Sequence, residues 1–314
     1  MTSRRPPATG VYTNDDLVFP NLPTMVDFLK ASSDRSSHGA TVACAGRGKI
    51  FHIACDVEPR GFEDGERQLA RGQLGMEAER YLWTALNASA TPSAAAGWGS
   101  AGGAGSARHA ALRVTLQSMQ RAGRTKDQEK TVVAARLLAH YARARRRFFL
   151  ALGLASTHVH GSSICQPDAA SMDGGRPLGN RAPLAPRRGG EHDPPLLTWP
   201  NWDLTRWVGG STRKQMPRFD VDAQWERRAV GDYYACSTHV DAQIGAMMDA
   251  LDVLQLASST AVVVQGDHGF SLGRHGRWSK YNLYEDATRV PLIIAVPGGS
   301  ARVVDDIVES LDVM

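Results

Sequence analysis

A chain of 314 residues, 42% apolar and 22% charged, has the size and balance of one large α/β domain or two smaller ones around a sizeable core. Its formal net charge of +4 arises from 36 basic and 32 acidic residues, scattered rather than massed. The densest basic cluster, Arg143, Arg145, Arg146 and Arg147, has no interleaved aromatic residue for base stacking, so nucleic-acid binding is not expected. No apolar run approaches the roughly 20 residues that span a bilayer. The opening MTSRRPPATG lacks the apolar stretch of a signal peptide. The four cysteines show neither CxxC spacing nor a zinc-like pairing with histidine.

In chain order, Leu22, Met25, Val26 and Leu29 fall at helical spacing, and TVACA (41–45) reads as a short buried strand. An Ala/Gly/Ser-rich stretch is expected to be a flexible insertion over 86–108. KTVVAARLLAHYA (130–142) puts Val133, Leu137 and Tyr141 on one helical face, and RFFLALGLA (147–155) is a second strand. A Pro-, Gly- and Arg-rich excursion over 166–198 is expected to be a second flexible insertion. From 223 to 251 an apolar stripe of Ala229, Tyr233, Cys236, Val240, Ile244, Met247 and Leu251 predicts a long helix. STAVVVQ (259–265) and VPLIIAV (290–296) complete the set of strands. Short apolar runs alternating with helices predict parallel strands covered on both faces, in a doubly wound α/β sheet with sites at the carboxyl ends of strands.

One such end carries unusual chemistry. QGDHGFSLGRHGRWSKYNLYEDATRVPLIIAVPGG (265–299) places Asp267, His268 and Lys280 in one loop between two strands. A carboxylate there suits a hard divalent cation, and an imidazole can ligate it or contact an anion. Lys280 offers a point charge to an oxyanion. Glu285 and Arg289 read as a structural i,i+4 pair, and His275 as a supporting or plain loop residue.

The whole stretch resembles the signature of the sulfatase family, in which a strand, SDHG, LGEHG, W-x-K, a tyrosine, E-x-x-x-RVP and PG follow in that order. Within that family it is most similar to the iduronate-2-sulfatase branch, and the match is almost continuous over 219–314. RFFLALGLASTHVH (147–160) resembles the family strand that ends in Lys-Pro-His-x-Pro, with Ser156 and Thr157 in place of the lysine and proline. ATVACAGRGKIFH (40–52) is similar to the strand ending in Gly-Lys-x-Phe-His, and MTSRRPPATGVY (1–12) to the segment just after the nucleophile helix.

The resemblance implies an alkaline-phosphatase/sulfatase-like fold, a three-layer, doubly wound, mostly parallel sheet with helices on both faces. It implies a metal, calcium, held by Asp267 and His268. Lys49, His158 and Lys280 take catalytic positions, and His52 and His268 contact substrate. It implies sulfuric ester hydrolysis of sulfate monoesters, in sulfated small molecules or glycans, in a lysosomal or secreted setting. The family nucleophile is a formylglycine made from Cys-x-Pro-Ser-Arg, and no cysteine of these 314 residues stands in that motif. Cys165-Gln166-Pro167 continues with Asp168 and Ala169, and Asp15-Asp16 has no strand before it to make it the family's acidic metal pair. Residues 1–314 are therefore expected to form part of the N-terminal catalytic domain, without its first strand, its nucleophile helix or a C-terminal subdomain. A chain so built is expected to be inactive alone. The alternatives are a non-catalytic sulfatase-like paralogue serving as a binding or interaction module, and a related phosphoester hydrolase.

Overall fold

The computed structural model describes residues 25–34, 42–48, 73–88, 109–118, 125–158, 223–276, 278–280 and 282–313. Of the insertion expected over 86–108, residues 86–88 complete a helix instead, and the remaining 89–108, like the insertion expected over 166–198, lie outside the described residues.

The first layers form around a parallel pair of strands, β1 (Ala43–Gly48) and β2 (Phe148–Gly153), registered from Ala43 opposite Phe148 to Gly48 opposite Gly153. The strand sequence ACAGRG has little intrinsic β preference. Its small side chains let helices approach on both sides, and strand alternation sorts them by face. Ala43 and Ala45, with Phe148 and Leu150, pack against Leu137, Tyr141 and Val133 of α4 (Lys126–Arg143). Val42 and Cys44, with Phe149, pack against Val26 and Leu29 of α1 (Met25–Asp34). This is the expected helix–sheet–helix layering. At the strand ends, a Cβ on Gly48 (φ +86°) would collide with the carbonyl oxygen of Gly153, so only glycine lets β1 and β2 finish side by side.

The other face of α4 builds the main core. Val132, Ala135 and Leu138 meet Leu82 and Leu86 of α2 (Gln73–Ala88) and Leu112 and Leu116 of α3 (Ala110–Ser118). Ala246, Ala250 and Leu251 of α5 (Ala223–Val253) close it. Each fully buried leucine contributes roughly 1.5–3 kcal/mol of transfer free energy. Helices α2 and α3 lie in a stretch for which the sequence reading named no element.

Helix α5 has the expected extent, but its buried stripe differs. Ala229 and Leu251 are buried as expected, whereas Tyr233, Cys236, Val240, Ile244 and Met247 are only half-buried. The deeply buried face is Ala235, His239, Gln243, Ala246 and Ala250. Small side chains permit close approach of α3 and α4, and the larger residues flank the contact. Two acids on this helix dock α3: Asp249 Oδ2 accepts the backbone N–H of Leu112 at 3.1 Å, and Asp252 Oδ2 lies 2.6 Å from His109 Nε2. Burial pushes the Asp249 carboxyl up, against the pull of that N–H and of His109.

The third expected strand, β3 (Val262–Gln265), and the fourth, here β6 (Leu292–Ala295), both form. They pair antiparallel, with Val262 opposite Ala295 and Gln265 opposite Leu292. No crossover helix of βαβ length separates them, so the chain returns as an elaborated hairpin rather than a parallel crossover. Val263, Ile293 and Ile294 are exposed, so among the described residues this pair is not covered on both faces. Among the described residues β1–β2 and β3–β6 are separate two-stranded sheets, and of these the parallel one is β1–β2.

Candidate functional site

The loop from β3 to β6 is held by its backbone. Gly266 N–H donates to Pro291 O at 3.1 Å, and Gly269 N–H donates to Ala287 O at 2.8 Å. Between them lie a small antiparallel hairpin, β4 (Ser271–Leu272) with β5 (Trp278–Ser279), and a one-turn helix α6 (Glu285–Thr288). Trp278 of the hairpin is buried, and Asn282 Nδ2 donates to Ser271 Oγ at 3.0 Å. Phe270 stacks on Tyr233 of α5 with ring centroids 5.2 Å apart, which fixes the loop to the helical layer. The Tyr233 phenol is pushed up by burial and further by the charge of Asp267. His275 stacks on Tyr284 with ring centroids 4.4 Å apart. Arg289 and Glu285 form an exposed i,i+4 contact at 4.0 Å, consistent with a structural pair of little energetic weight.

Asp267 and His268 follow β3 directly. Asp267 Oδ1 accepts the His268 backbone N–H at 2.9 Å, and its Oδ2 lies 3.6 Å from His268 Nε2. His268 Nδ1 is 2.8 Å from Gly269 O. A carbonyl can only accept, so Nδ1 carries a proton and donates to Gly269 O. With Asp267 74% and His268 35% exposed, this is a donor set open to solvent. A divalent cation fits between such donors, yet calcium prefers roughly 6–8 oxygens. Among the described residues no group of three or more His, Cys, Asp or Glu side chains gathers to hold a metal. Two such donors fall well short of that number.

His158 ends the turn after β2. Its backbone N–H donates to Ala155 O at 2.9 Å, closing the turn. Its Nε2 lies 3.2 Å from Nζ of Lys280, the first residue after β5, across a sequence separation of 122. A lysine ammonium only donates, so His158 presents Nε2 as acceptor and carries its proton on Nδ1. The structure thus brings together two of the expected residues from distant segments. Lys49 and His52 lie outside the described residues.

Ser156 does not face that pair. Its side chain is buried and its Oγ donates to Asp127 Oδ2 at 2.6 Å. The same carboxylate oxygen accepts Ala155 N–H at 2.9 Å and Ser156 N–H at 2.7 Å, and Lys130 Nζ donates to Asp127 Oδ1 at 2.9 Å. Burial would raise the Asp127 carboxyl, but the Ser156, Lys130 and Ala155 donors outweigh it and hold the group below its ordinary range. Sequence reasoning missed Asp127 and Lys130, since an acid in the first turn of a helix is ordinary favourable dipole chemistry.

The chain is similar in sequence to known proteins. A sequence model of the family described as Sulfatase matches residues 2–314. Iduronate 2-sulfatase of Homo sapiens is 42% identical over 86 residues, 27% of this chain and 16% of that protein. Iduronate 2-sulfatase of Mus musculus is 31% identical over 182 residues, 57% of this chain and 32% of that protein. Choline-sulfatase of Rhizobium meliloti is 38% identical over 80 residues, 26% of this chain and 16% of that protein. Each match spans a third or less of the relative's own length. A solved structure of a putative sulfatase, yidJ from Bacteroides fragilis, aligns with a TM-score of 0.37 at 20% identity, covering 55% of this chain and 31% of its own, too slight a likeness to argue from.

Proposed function

The chain belongs to the sulfatase family, and from that premise we propose that His158, Lys280, Asp267 and His268 form one wall of a site for sulfate monoesters. The observation that carries this is the 3.2 Å approach of Lys280 Nζ to His158 Nε2 at the carboxyl ends of two elements. An ammonium beside an imidazole is a natural seat for a sulfate oxygen: the anion takes the lysine's hydrogen bond in place of the Nε2 lone pair, and Nε2, once protonated, donates to the anion as well. Lys280 then stabilises charge on the sulfate, and His158 is placed to handle a proton at the ester oxygen of the leaving alcohol. Asp267 and His268 contribute part of a calcium site, and such an ion would add positive charge opposite the sulfate oxygens. Lys49 and His52, close in sequence to the end of β1, are assigned to the same site. The substrate class is a sulfate ester of a sugar or other small alcohol, in the manner of iduronate 2-sulfatases, and the setting is lysosomal or secreted.

No nucleophilic step is assigned, since Cys-x-Pro-Ser-Arg is absent from the 314 residues. The isolated polypeptide is expected to bind sulfate without turning over an aryl sulfate. Ser156, turned inward to Asp127 in the place of the family lysine, favours as second reading a sulfatase-like protein that binds without catalysis.

Calorimetric titration of inorganic sulfate, with inorganic phosphate as competitor, tests the site. Sulfate binding that weakens about tenfold or more in Lys280→Ala, in line with the loss of a charge-assisted hydrogen bond, supports it. Undiminished binding in that variant removes it, and a clear preference for phosphate points instead to phosphoester chemistry.

A further inference from the structure

We infer that Asp127 is a positioning residue for His158, holding the strand-end turn at the register where the imidazole meets Lys280; this rests on the sulfate-site reading above. Four contacts converge on the Asp127 carboxylate, and three of them come from the turn itself: Ala155 N–H, Ser156 N–H and Ser156 Oγ–H, all on Oδ2. The fourth, Lys130, bonds Oδ1 at 2.9 Å and reaches Gly153 O at 3.4 Å, so the two side chains grip residues 153–156 from both ends. The turn then closes on itself through His158 N–H to Ala155 O. Thus the carboxylate fixes the backbone of residue 155, whose carbonyl fixes the backbone of residue 158.

The clamp is built for rigidity. The Asp127 side chain is 2% exposed and Lys130 is 16% exposed, so neither bond competes fully with water. Helix α4 itself is registered by a capping box, in which Thr125 Oγ1 accepts Gln128 N–H at 3.1 Å and Gln128 Oε1 accepts Thr125 N–H at 2.8 Å. Packing of α4 under β1 and β2 sets the height of the carboxylate relative to the strand ends. A loop histidine alone would sample several rotamers. One in a turn pinned by a buried carboxylate has its Cα–Cβ bond held in place, so only its rotamer remains to be ordered when the ligand arrives.

The test uses the full chain, with histidine labelled by nitrogen-15, in wild type, Asp127→Ala, Ser156→Ala and His158→Gln, the last serving to assign the signal. Two readouts are taken: the His158 ring nitrogen shifts, which report the Nδ1-protonated tautomer and its contact with Lys280, and the affinity for inorganic sulfate. Wild type is expected to show the single Nδ1-protonated form. Asp127→Ala is expected to give averaged ring shifts and about tenfold weaker sulfate binding, as for one lost charge-assisted contact. Ser156→Ala, which keeps both backbone bonds, is expected to fall between. If Asp127→Ala fails to fold, Ser156→Ala decides on the same readouts, because removal of one hydroxyl leaves the turn closed. Unchanged ring shifts in the folded Asp127 or Ser156 variant overturn the inference. Loss of the single tautomer in the variants, with no sulfate binding in wild type, upholds the clamp and refutes the sulfate-site reading.

Discussion

Gly269 lies so close to Asp286 that a Cβ at 269 would run into the Asp286 carbonyl oxygen, while the Gly269 N–H bonds the carbonyl of the next residue, Ala287. The start of the site loop is therefore buttressed by backbone, which has no rotamer by which to yield. Gly269→Ala is expected to lose about 2–4 kcal/mol of stability, as other strained backbone substitutions do. Thermal unfolding would show the drop, and Phe270, the neighbour stacked on Tyr233, would report loop displacement by near-ultraviolet dichroism. A variant with wild-type stability would mean that the loop slides without penalty.

Close packing on the small-residue face of α5 leads to a paired prediction. Ala246 is fully buried and Ala242, one turn earlier, is exposed. Ala246→Leu should destabilise by about 1–3 kcal/mol through overpacking, whereas Ala242→Leu should change stability by no more than about 0.5 kcal/mol. Denaturant midpoints of the two variants compare the same substitution at the two positions. Equal effects would place the buried stripe wrongly.

His239 couples α5 to the cap of α4: its Nε2 sits 2.9 Å from Thr125 Oγ1. Burial depresses its proton affinity below the ordinary value of 6.5, and the nearby Asp127 charge only partly offsets this. The unfolded chain therefore binds a proton at this histidine more readily than the native one, so stability is present above about pH 6.5 and is lost as pH falls toward the depressed value. Between about pH 7.5 and about pH 5.5 the melting temperature should fall less in His239→Gln than in wild type. Parallel curves would show that this histidine titrates as in the unfolded chain. Asp127, whose carboxyl is depressed, acts the same way only in stronger acid, below its ordinary 3.8.

Sequence periodicity and motif order carried much of this architecture. The strands around Cys44 and Phe149 and the face of α4 with Leu137 and Tyr141 follow from apolar spacing, because those side chains are large or alternate cleanly. The stripe on α5 was misplaced because hydrophobic size is a poor guide where close helix contact selects alanine. The antiparallel return of β6 was hidden, since an apolar run says nothing about direction. For the proposed site, Asp267, His268 and Lys280 stand out by residue type in one loop, whereas His158, which the structure brings to Lys280, was implied by the family resemblance alone. Asp127 was not, for nothing in TKDQ separates a helix-start acid from one reaching a turn beyond the next strand.

The central claim is that Lys280 and His158 together seat a sulfate. Crystals of the chain soaked with selenate, a sulfate isostere with an anomalous signal, test it most directly. An anomalous peak is expected within hydrogen-bond reach of both Lys280 Nζ and a protonated His158 Nε2 in wild type, and is expected to be absent in Lys280→Ala. Saturating selenate that binds elsewhere on the surface and leaves this pair in mutual contact would contradict it.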